Sequence, residues 1–297
     1  FIMCGIVGSF STNPESIKDA CLAIEHRGPD DHGIFFDDST NFGLGHQRLS
    51  IIDTSTFGHQ PMFDSKNQVV IVFNGEIYNF RELRSDLEAS GFVFKGNSDT
   101  EVLLNLYLLE GSKMLSKLNG IFAFAIWDDI SKSLFVARDA LGVKPLYFSE
   151  NNGSFAFSSE IKSLLKLSPL NKDLDFEALN SYLTFLWSPG NKTPFKSIKK
   201  LLPGEAMIIE NGLIKEKWYW YQLPIFNGIR NKFFFKEELL SDIEKYLKQA
   251  VHRQMIADVP VGAFLSGGLD SSSIVAFAKE INPNIRCFSI ETIGTRD

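Results

Sequence analysis

The sequence predicts an α+β domain of antiparallel sheets faced by helices, followed by the opening of a second, α/β domain built on a parallel sheet. Three observations carry this expectation. Through residues 1–160, strand-like runs and turn signals alternate with amphipathic helical patterns. The character of the chain changes across 221–236, a stretch holding Pro224 and Gly228. From 259 onward an apolar strand, a glycine loop, a helix and another strand follow in order, which is the βαβ unit of a doubly wound sheet.

In order along the chain, strands are expected at 4–10, 33–37, 42–53, 68–73, 120–127, 133–138, 145–148 and 154–158. Asp37-Asp38, Asn74-Gly75 and Asn151-Asn152-Gly153 supply turn signals after three of them,. Helical patterns fall at 15–25, 80–90 and 100–110. In the last, Val102, Leu103, Leu106 and Leu109 share a face, and Ser98 or Asp99 stands where a cap belongs,. The loop-rich stretch 188–220, with short strands at 205–209 and 213–218, reads as an edge element closing the first domain. The domains are therefore expected at 4–220 and 237–297, with 221–236 as linker.

In the second domain, Leu240, Ile243, Leu247, Ala250 and Val251 mark an amphipathic helix at 237–257,. A strand at 259–265, a loop at 266–271, a helix at 272–280 and a strand at 286–290 complete the pattern. Two parallel strands and two helices cannot cover both faces of a parallel sheet, so the chain is expected to stop inside this domain.

Composition narrows the function classes. With 44% hydrophobic residues and mixed charge, the chain is suited to packed cores,. The longest apolar run, 121–127, is far short of the roughly 20 residues of a membrane span,, and no signal peptide is expected from the opening residues. The 30 basic and 36 acidic residues give a net charge of −6, which favours neither a nucleic-acid groove nor an anionic membrane surface,. Three cysteines without a CxxC pair signal neither a disulfide framework nor a zinc site,. A cytoplasmic protein with small-molecule substrates is expected, and a homo-oligomer is left open.

Several residues could carry chemistry. Cys4 could be a small buried apolar residue. If it begins the mature chain, its own α-amine, titrating near ~7.7–8, would serve as base for its thiol. Asn74-Gly75 reads either as a turn or as an oxyanion hole made of the Asn74 amide and the Gly75 N–H, with Glu76 alongside. Asp99 is a helix cap or a site carboxylate, and Arg48 a solvated strand residue or a fork for a carboxylate. One cation and two carboxylates together would suit a zwitterionic amino acid. Ser266-Gly267-Gly268-Leu269-Asp270-Ser271, between a strand and a helix, is either a tight turn or a pyrophosphate site at a helix N-terminus,. It is neither a Walker loop nor a dinucleotide fingerprint.

Taken together, Met3-Cys4-Gly5-Ile6-Val7-Gly8, His26-Arg27-Gly28-Pro29-Asp30, Arg48-Leu49-Ser50-Ile51-Ile52-Asp53, Asn74-Gly75-Glu76-Ile77-Tyr78-Asn79, Ser98-Asp99-Thr100-Glu101 and Arg138-Asp139 with Gly142-Val143-Lys144-Pro145 resemble the class II glutamine amidotransferases. Joined to the 266–271 loop, the order resembles the glutamine-hydrolysing asparagine synthetase family over nearly the whole chain. The resemblance implies a four-layer αββα N-terminal-nucleophile sandwich, followed by an incomplete ATP-pyrophosphatase-type synthetase domain. It implies that Cys4 attacks glutamine while Asn74 and Gly75 hold the oxyanion. Arg48 and the backbone of Leu49, Ser50, Ile51 and Ile52 would hold the substrate carboxylate, and Glu76 and Asp99 its ammonium. Ammonia would then amidate a carboxylate adenylated by ATP with Mg²⁺, aspartate in the type enzyme, with a sugar uronic acid as the alternative acceptor. Leu265, Ser266, Gly267, Gly268, Asp270, Ser271 and Ile290 would contact ATP. No metal site of the protein's own is expected. Phe1 and Ile2 precede Met3, so the natural start is expected at Met3. A non-catalytic chain that binds glutamine or a partner is the competing expectation.

Overall fold

The computed structural model describes residues 3–151, 153–167, 170–225 and 236–290. Most of the expected linker, 226–235, lies outside the described residues. The chain divides into two compact units, Phe1–Leu223 and Pro224–Asp297, and each is taken by itself.

In chain order, the first unit contains β1 (Gly5–Ser9), α1 (Pro14–Leu22), β2 (Asp31–Asp37), β3 (Phe42–Arg48), β4 (Met62–Phe63), β5 (Val69–Ile77), α2 (Phe80–Ala89), α3 (Asp99–Glu110), β6 (Gly120–Asp128) and β7 (Ser133–Arg138). It continues with β8 (Tyr147–Asn151), β9 (Ser154–Ser158), α4 (Ile161–Leu164), α5 (Phe176–Phe185), β10 (Lys199–Lys200), β11 (Glu205–Glu210) and β12 (Leu213–Tyr219). The strands form two six-stranded sheets, ordered β10-β8-β9-β1-β3-β2 and β12-β11-β7-β6-β5-β4. Every strand pairing within them is antiparallel.

Strand alternation divides the apolar residues between two cores. Ile6, Phe42, Leu44, Phe155 and Phe157 of the first sheet meet Val70, Val72, Ala125, Trp127, Val136 and Met207 of the second. Much of this inner layer is aromatic: the Phe42 and Trp127 rings lie 4.5 Å apart and Phe10 and Phe42 4.6 Å apart. Val7, one residue from Ile6, faces the other way, where α1 and α4 cover the first sheet with Ile17, Ala20, Ile24 and Leu164. Helices α2 and α3 pack on each other, and α3 on β5 of the second sheet. The result is four layers, helix–sheet–sheet–helix.

The boundaries depart from expectation where side chains take over backbone duties. The strand expected at 42–53 ends at Arg48, because the following loop is tied down by Asp53, whose own φ is 54°. The strand expected at 68–73 runs on to Ile77, so Asn74-Gly75 is no turn: these residues pair with Ala123 and Phe122 of β6. On α3, Leu109 is exposed and Leu104 is buried instead, since the helix meets both α2 and β5. Helices α4 and α5 and the short β4 were not expected.

The second unit holds α6 (Lys236–Gln254), β13 (Gly262–Phe264), α7 (Leu269–Ile281) and β14 (Arg286–Phe288). β13 and β14 pair in parallel with Ala263 opposite Cys287, and α6 packs on α7. Helix α7 starts three residues before the expected 272, which draws Asp270 and Ser271 into its first turn. No described helix is long and apolar enough to cross a membrane.

Gly75 is required by the sheet itself. A Cβ built there would lie 2.2 Å from the Ile121 carbonyl oxygen and 2.7 Å from the Phe122 Cα. Gly75→Ala should therefore destabilise the fold by about 1–3 kcal/mol through overpacking, read as a lower urea midpoint. An unchanged midpoint would contradict the close approach of β5 and β6.

Candidate active site

The site forms where β5 of one sheet passes the ends of β1 and β3 of the other. Cys4 immediately precedes β1, and the pairing of Gly5 with Gln47 sets it beside Arg48, the last residue of β3. Both line a small cavity with Leu49, Ile51, Ile52, Gln60, Phe73, Asn74, Gly75, Glu76, Asp99, Thr100, Lys144 and Met3.

Backbone accounting shows what β5 offers to this cavity. Phe122 of β6 gives its N–H to Asp139 and its carbonyl to the Asp139 amide. Its partner Gly75 therefore directs its own N–H and C=O away from β6, toward the edge that β4 leaves open, since β4 pairs only with Val70 and Ile71. The same edge carries Phe73 and Ile77, two residues to either side. Gln60 Oε1 accepts from Phe73 N at 2.7 Å, and His46 Nε2 donates to Phe73 O at 3.0 Å. Asp99 Oδ2 accepts from Ile77 N at 3.0 Å. Between these two fixed points, the Gly75 N–H has no partner among the described residues. Burial pushes His46 down to about 4, so the ring is neutral and bridges the two sheets as a simple donor.

Asn74 is buried, and neither its amide nitrogen nor its amide oxygen has a hydrogen-bond partner among the described residues. Buried amides are ordinarily paired, so an orphaned one in a cavity wall is a donor held ready for something else.

Cys4 is held on both sides. The Leu49 N–H donates to its sulfur at 3.3 Å, and the Leu49 carbonyl lies 3.5 Å from the same sulfur. Arg27 Nε donates to the Cys4 carbonyl at 2.9 Å, while Arg27 Nη1 pairs with Glu160 at 3.0 Å. Burial raises the thiol above its ordinary value, while the Leu49 amide and the charges of Lys144 and Arg48 act against the rise.

Arg48 is buried, and its guanidinium donates to three backbone carbonyls: Ser55 at 3.2 Å, Ile52 at 3.4 Å and Asp53. It thereby shapes the loop 49–58 as well as lining the cavity. The seat exists because residue 58 is glycine: a Cβ there would fall 1.9 Å from Arg48 Nη2. Asp53 ties the loop to its neighbour by accepting from the Asn97 amide at 2.6 Å. Against the cost of partial burial, its bonds from Ser55 and Asn97 hold the Asp53 carboxyl below the usual range. Ser50 is not among the lining residues, and its amide donates to Asp30 at 2.8 Å.

Two carboxyls, Glu76 and Asp99, line the cavity and have no ion-pair partner in contact among the described residues. Burial raises Glu76, with Lys144 opposing. Burial pushes Asp99 up to about 7, opposed by the Ile77 amide and reinforced by the charge of Glu76. The N-cap of α3 is Ser98, whose hydroxyl accepts from Glu101 N at 3.2 Å, so Asp99 is free of capping duty.

Sequence reasoning did not single out Gln60, Thr100 or Lys144. Lys144 carried a signal, since it belongs to the motif that begins at Arg138. Asp139 accepts from the amides of Val143 and Lys144 at 2.9 and 3.0 Å, and Arg138 Nε donates to the Lys144 carbonyl at 2.6 Å. The motif is thus a tied turn that carries Lys144 into the cavity wall. Gln60 lies 13 positions from Phe73, and nothing local marks it.

In the second unit, the 266–271 loop joins β13 to α7. The Ser266 and Ser271 hydroxyls lie 3.0 Å apart, and Leu265 N donates to Phe288 O at 2.8 Å. Gly268, the N-cap of α7, provides no side-chain cap, which leaves first-turn N–H groups available to an anion. Ile290 is exposed. Among the described residues, no cluster of three or more His, Cys, Asp or Glu suits a metal ion.

A family model described as a glutamine amidotransferase domain matches residues 3–220, and one described as asparagine synthase matches residues 242–297. The chain is 41% identical over 297 residues to asparagine synthetase (glutamine-hydrolyzing) 1 of Bacillus subtilis, covering 97% of this chain and 46% of that protein. It is 37% identical over 320 residues to putative asparagine synthetase (glutamine-hydrolyzing) 2 of Methanocaldococcus jannaschii, covering 99% of this chain and 61% of that protein. The chain thus spans about half the length of the curated relatives it matches. Among solved structures, glutamine phosphoribosylpyrophosphate amidotransferase of B. subtilis superposes with a TM-score of 0.56 at 19% identity, covering 98% of this chain and 67% of that one. That likeness shows a shared α+β fold of two antiparallel sheets between helices. The match over residues 3–220 takes in every residue that lines the cavity, and the chain belongs to the glutamine amidotransferase domain family.

Proposed function

We propose that Cys4 attacks the side-chain amide carbon of glutamine, expels ammonia and leaves a glutamyl thioester that water opens to glutamate. One observation supports this above the rest: Cys4 from one sheet and an unpartnered, buried Asn74 amide from the other line a single cavity. With the open Gly75 N–H, Asn74 offers two donors to the oxyanion that forms as sulfur adds to the carbonyl. Where Cys4 is the first residue, its α-amine takes the thiol proton and returns it to the departing nitrogen.

Substrate binding follows from charge. The glutamine α-carboxylate is drawn to Arg48, whose guanidinium is already fixed by the loop carbonyls, and its ammonium to Glu76 and Asp99. Leu49, Ile51 and Ile52 form the apolar wall. For the whole protein, we propose that the ammonia amidates a carboxylate activated by ATP, with aspartate as acceptor. The match of 242–297 to the asparagine synthase model and the names of the relatives support this, and a sugar uronic acid is the alternative acceptor. The uncapped start of α7 with Ser266, Gly267, Gly268, Asp270 and Ser271 suits the phosphates of ATP,. When bound, ATP with Mg²⁺ supplies adenylation of the acceptor.

Cys4→Ala should abolish glutamate release from a folded chain. Asn74→Ala should lower kcat by about 10²–10³ with KM little changed; a rise in KM alone would reduce Asn74 to a packing role.

A pH dependence follows from Asp99. Its folded value of about 7 means that it is neutral below that pH and anionic above. The apparent KM for glutamine should therefore fall as pH rises through about 7, and Asp99→Asn should flatten that dependence. The stability effect runs the other way. The native state holds this proton more tightly than the unfolded chain, so between its ordinary 3.8 and about 7 the group removes stability as pH rises,. Above pH 7, Asp99→Asn should match or exceed the parent in urea midpoint, because the amide oxygen can still accept from Ile77 N. A midpoint that falls in the variant would contradict the burial of an unpaired carboxylate.

A further inference from the structure

Lys144 is a buried lysine, 8% exposed, in the wall of the same cavity as Cys4. A buried ammonium normally rests on a carboxylate or several oxygens. Among the described residues this one forms no ion pair, and its only hydrogen bond is to the Met3 thioether sulfur at 3.3 Å. A thioether is a weak acceptor, and Met3 is the residue bonded to the Cys4 nitrogen. The position is not accidental: the Arg138 and Asp139 bonds fix the turn on both sides of Lys144.

We propose that Lys144 is a positioning residue that acts through Cys4, its ammonium favouring the thiolate and opposing a second positive charge on the Cys4 nitrogen. This rests on the reading of Cys4 as nucleophile. In a chain that starts at Cys4 the Met3 sulfur is gone, and the lysine then shares the cavity wall with the free amine and the thiol. The thiol proton moves to that amine on attack; with a cation beside it, the resting amine stays neutral and able to receive it. The groups that share this field are Glu76 on β5, Asp99 on α3, Arg48 on β3, Arg27 before β2 and Asp139 after β7. Burial lowers Lys144 and raises the Cys4 thiol, and the charge of each works against the other's shift.

The test compares parent, Lys144→Met and Lys144→Arg, each confirmed by mass to begin at Cys4. Alkylation of Cys4 by iodoacetamide is followed across pH by peptide mass, which separates it from the exposed Cys287 and needs no glutamine turnover. In Lys144→Met the alkylation limb should move to higher pH by about one unit, and Lys144→Arg should return it. The acid limb of kcat/KM for glutamine should move with it. An alkylation limb at the same pH in folded Lys144→Met, or in Lys144→Gln if the methionine variant does not fold, overturns the proposal. A shifted limb in a chain that releases no glutamate supports the role of Lys144 and refutes glutamine turnover instead, so the two readings fail separately.

Discussion

The site depends on how the edge of β5 is closed. A strand that outruns its neighbour leaves backbone donors and acceptors that must find partners when buried. Here β4 stops early, and residues 73, 75 and 77 of β5 present their main chain along the edge that β4 leaves open. Gln60 and His46 close Phe73, and Asp99 closes Ile77. What remains between them is the Gly75 N–H and, one residue back, the unpartnered Asn74 amide. The His46 bond also ties the two sheets together, because His46 sits on β3, two residues before Arg48 and opposite Ile6 of β1. The Asn74 and Gly75 donors of one sheet and the Cys4 thiol beside the other are thereby held at one cavity.

A second constraint is electrostatic. Glu76 and Asp99 are raised by burial, Asp99 also by the charge of Glu76, and Asn74 has no partner among the described residues. Each of these features subtracts from stability in the absence of ligand. A zwitterionic substrate with one ammonium, one carboxylate and an amide carbonyl would satisfy all of them. Arg48 differs, since its bonds to the 52, 53 and 55 carbonyls make it part of the scaffold before any ligand arrives.

Much of this was legible in the sequence, and the failures have physical causes. Strand alternation and turn residues located most of the sandwich, since a face that must be buried repeats every second residue. Apart from Gln60 and Phe73, the residues that line the cavity were visible through their motifs. Asn74-Gly75 misled as a turn signal, because the glycine answers to a partner strand, whose carbonyl would meet a Cβ at 2.2 Å. The loop after Arg48 misled because its course is set by Arg48, Asp53 and Gly58 across the fold. Gln60 was invisible, since its function is to complete a strand 13 positions away. Lys144 was seen only as part of a motif, and its meaning came from the turn that Asp139 ties.

The central claim, that Cys4 is the nucleophile toward the glutamine side chain, is tested most directly by a diazoketone analogue of glutamine. The analogue places an electrophilic carbon beside the ketone that stands for the amide carbonyl. Intact and peptide mass of the chain beginning at Cys4 should show one adduct, on Cys4, suppressed by excess glutamine and absent in Cys4→Ala. An adduct carried only by Cys287, or labelling of Cys4 that glutamine does not suppress, would contradict the account.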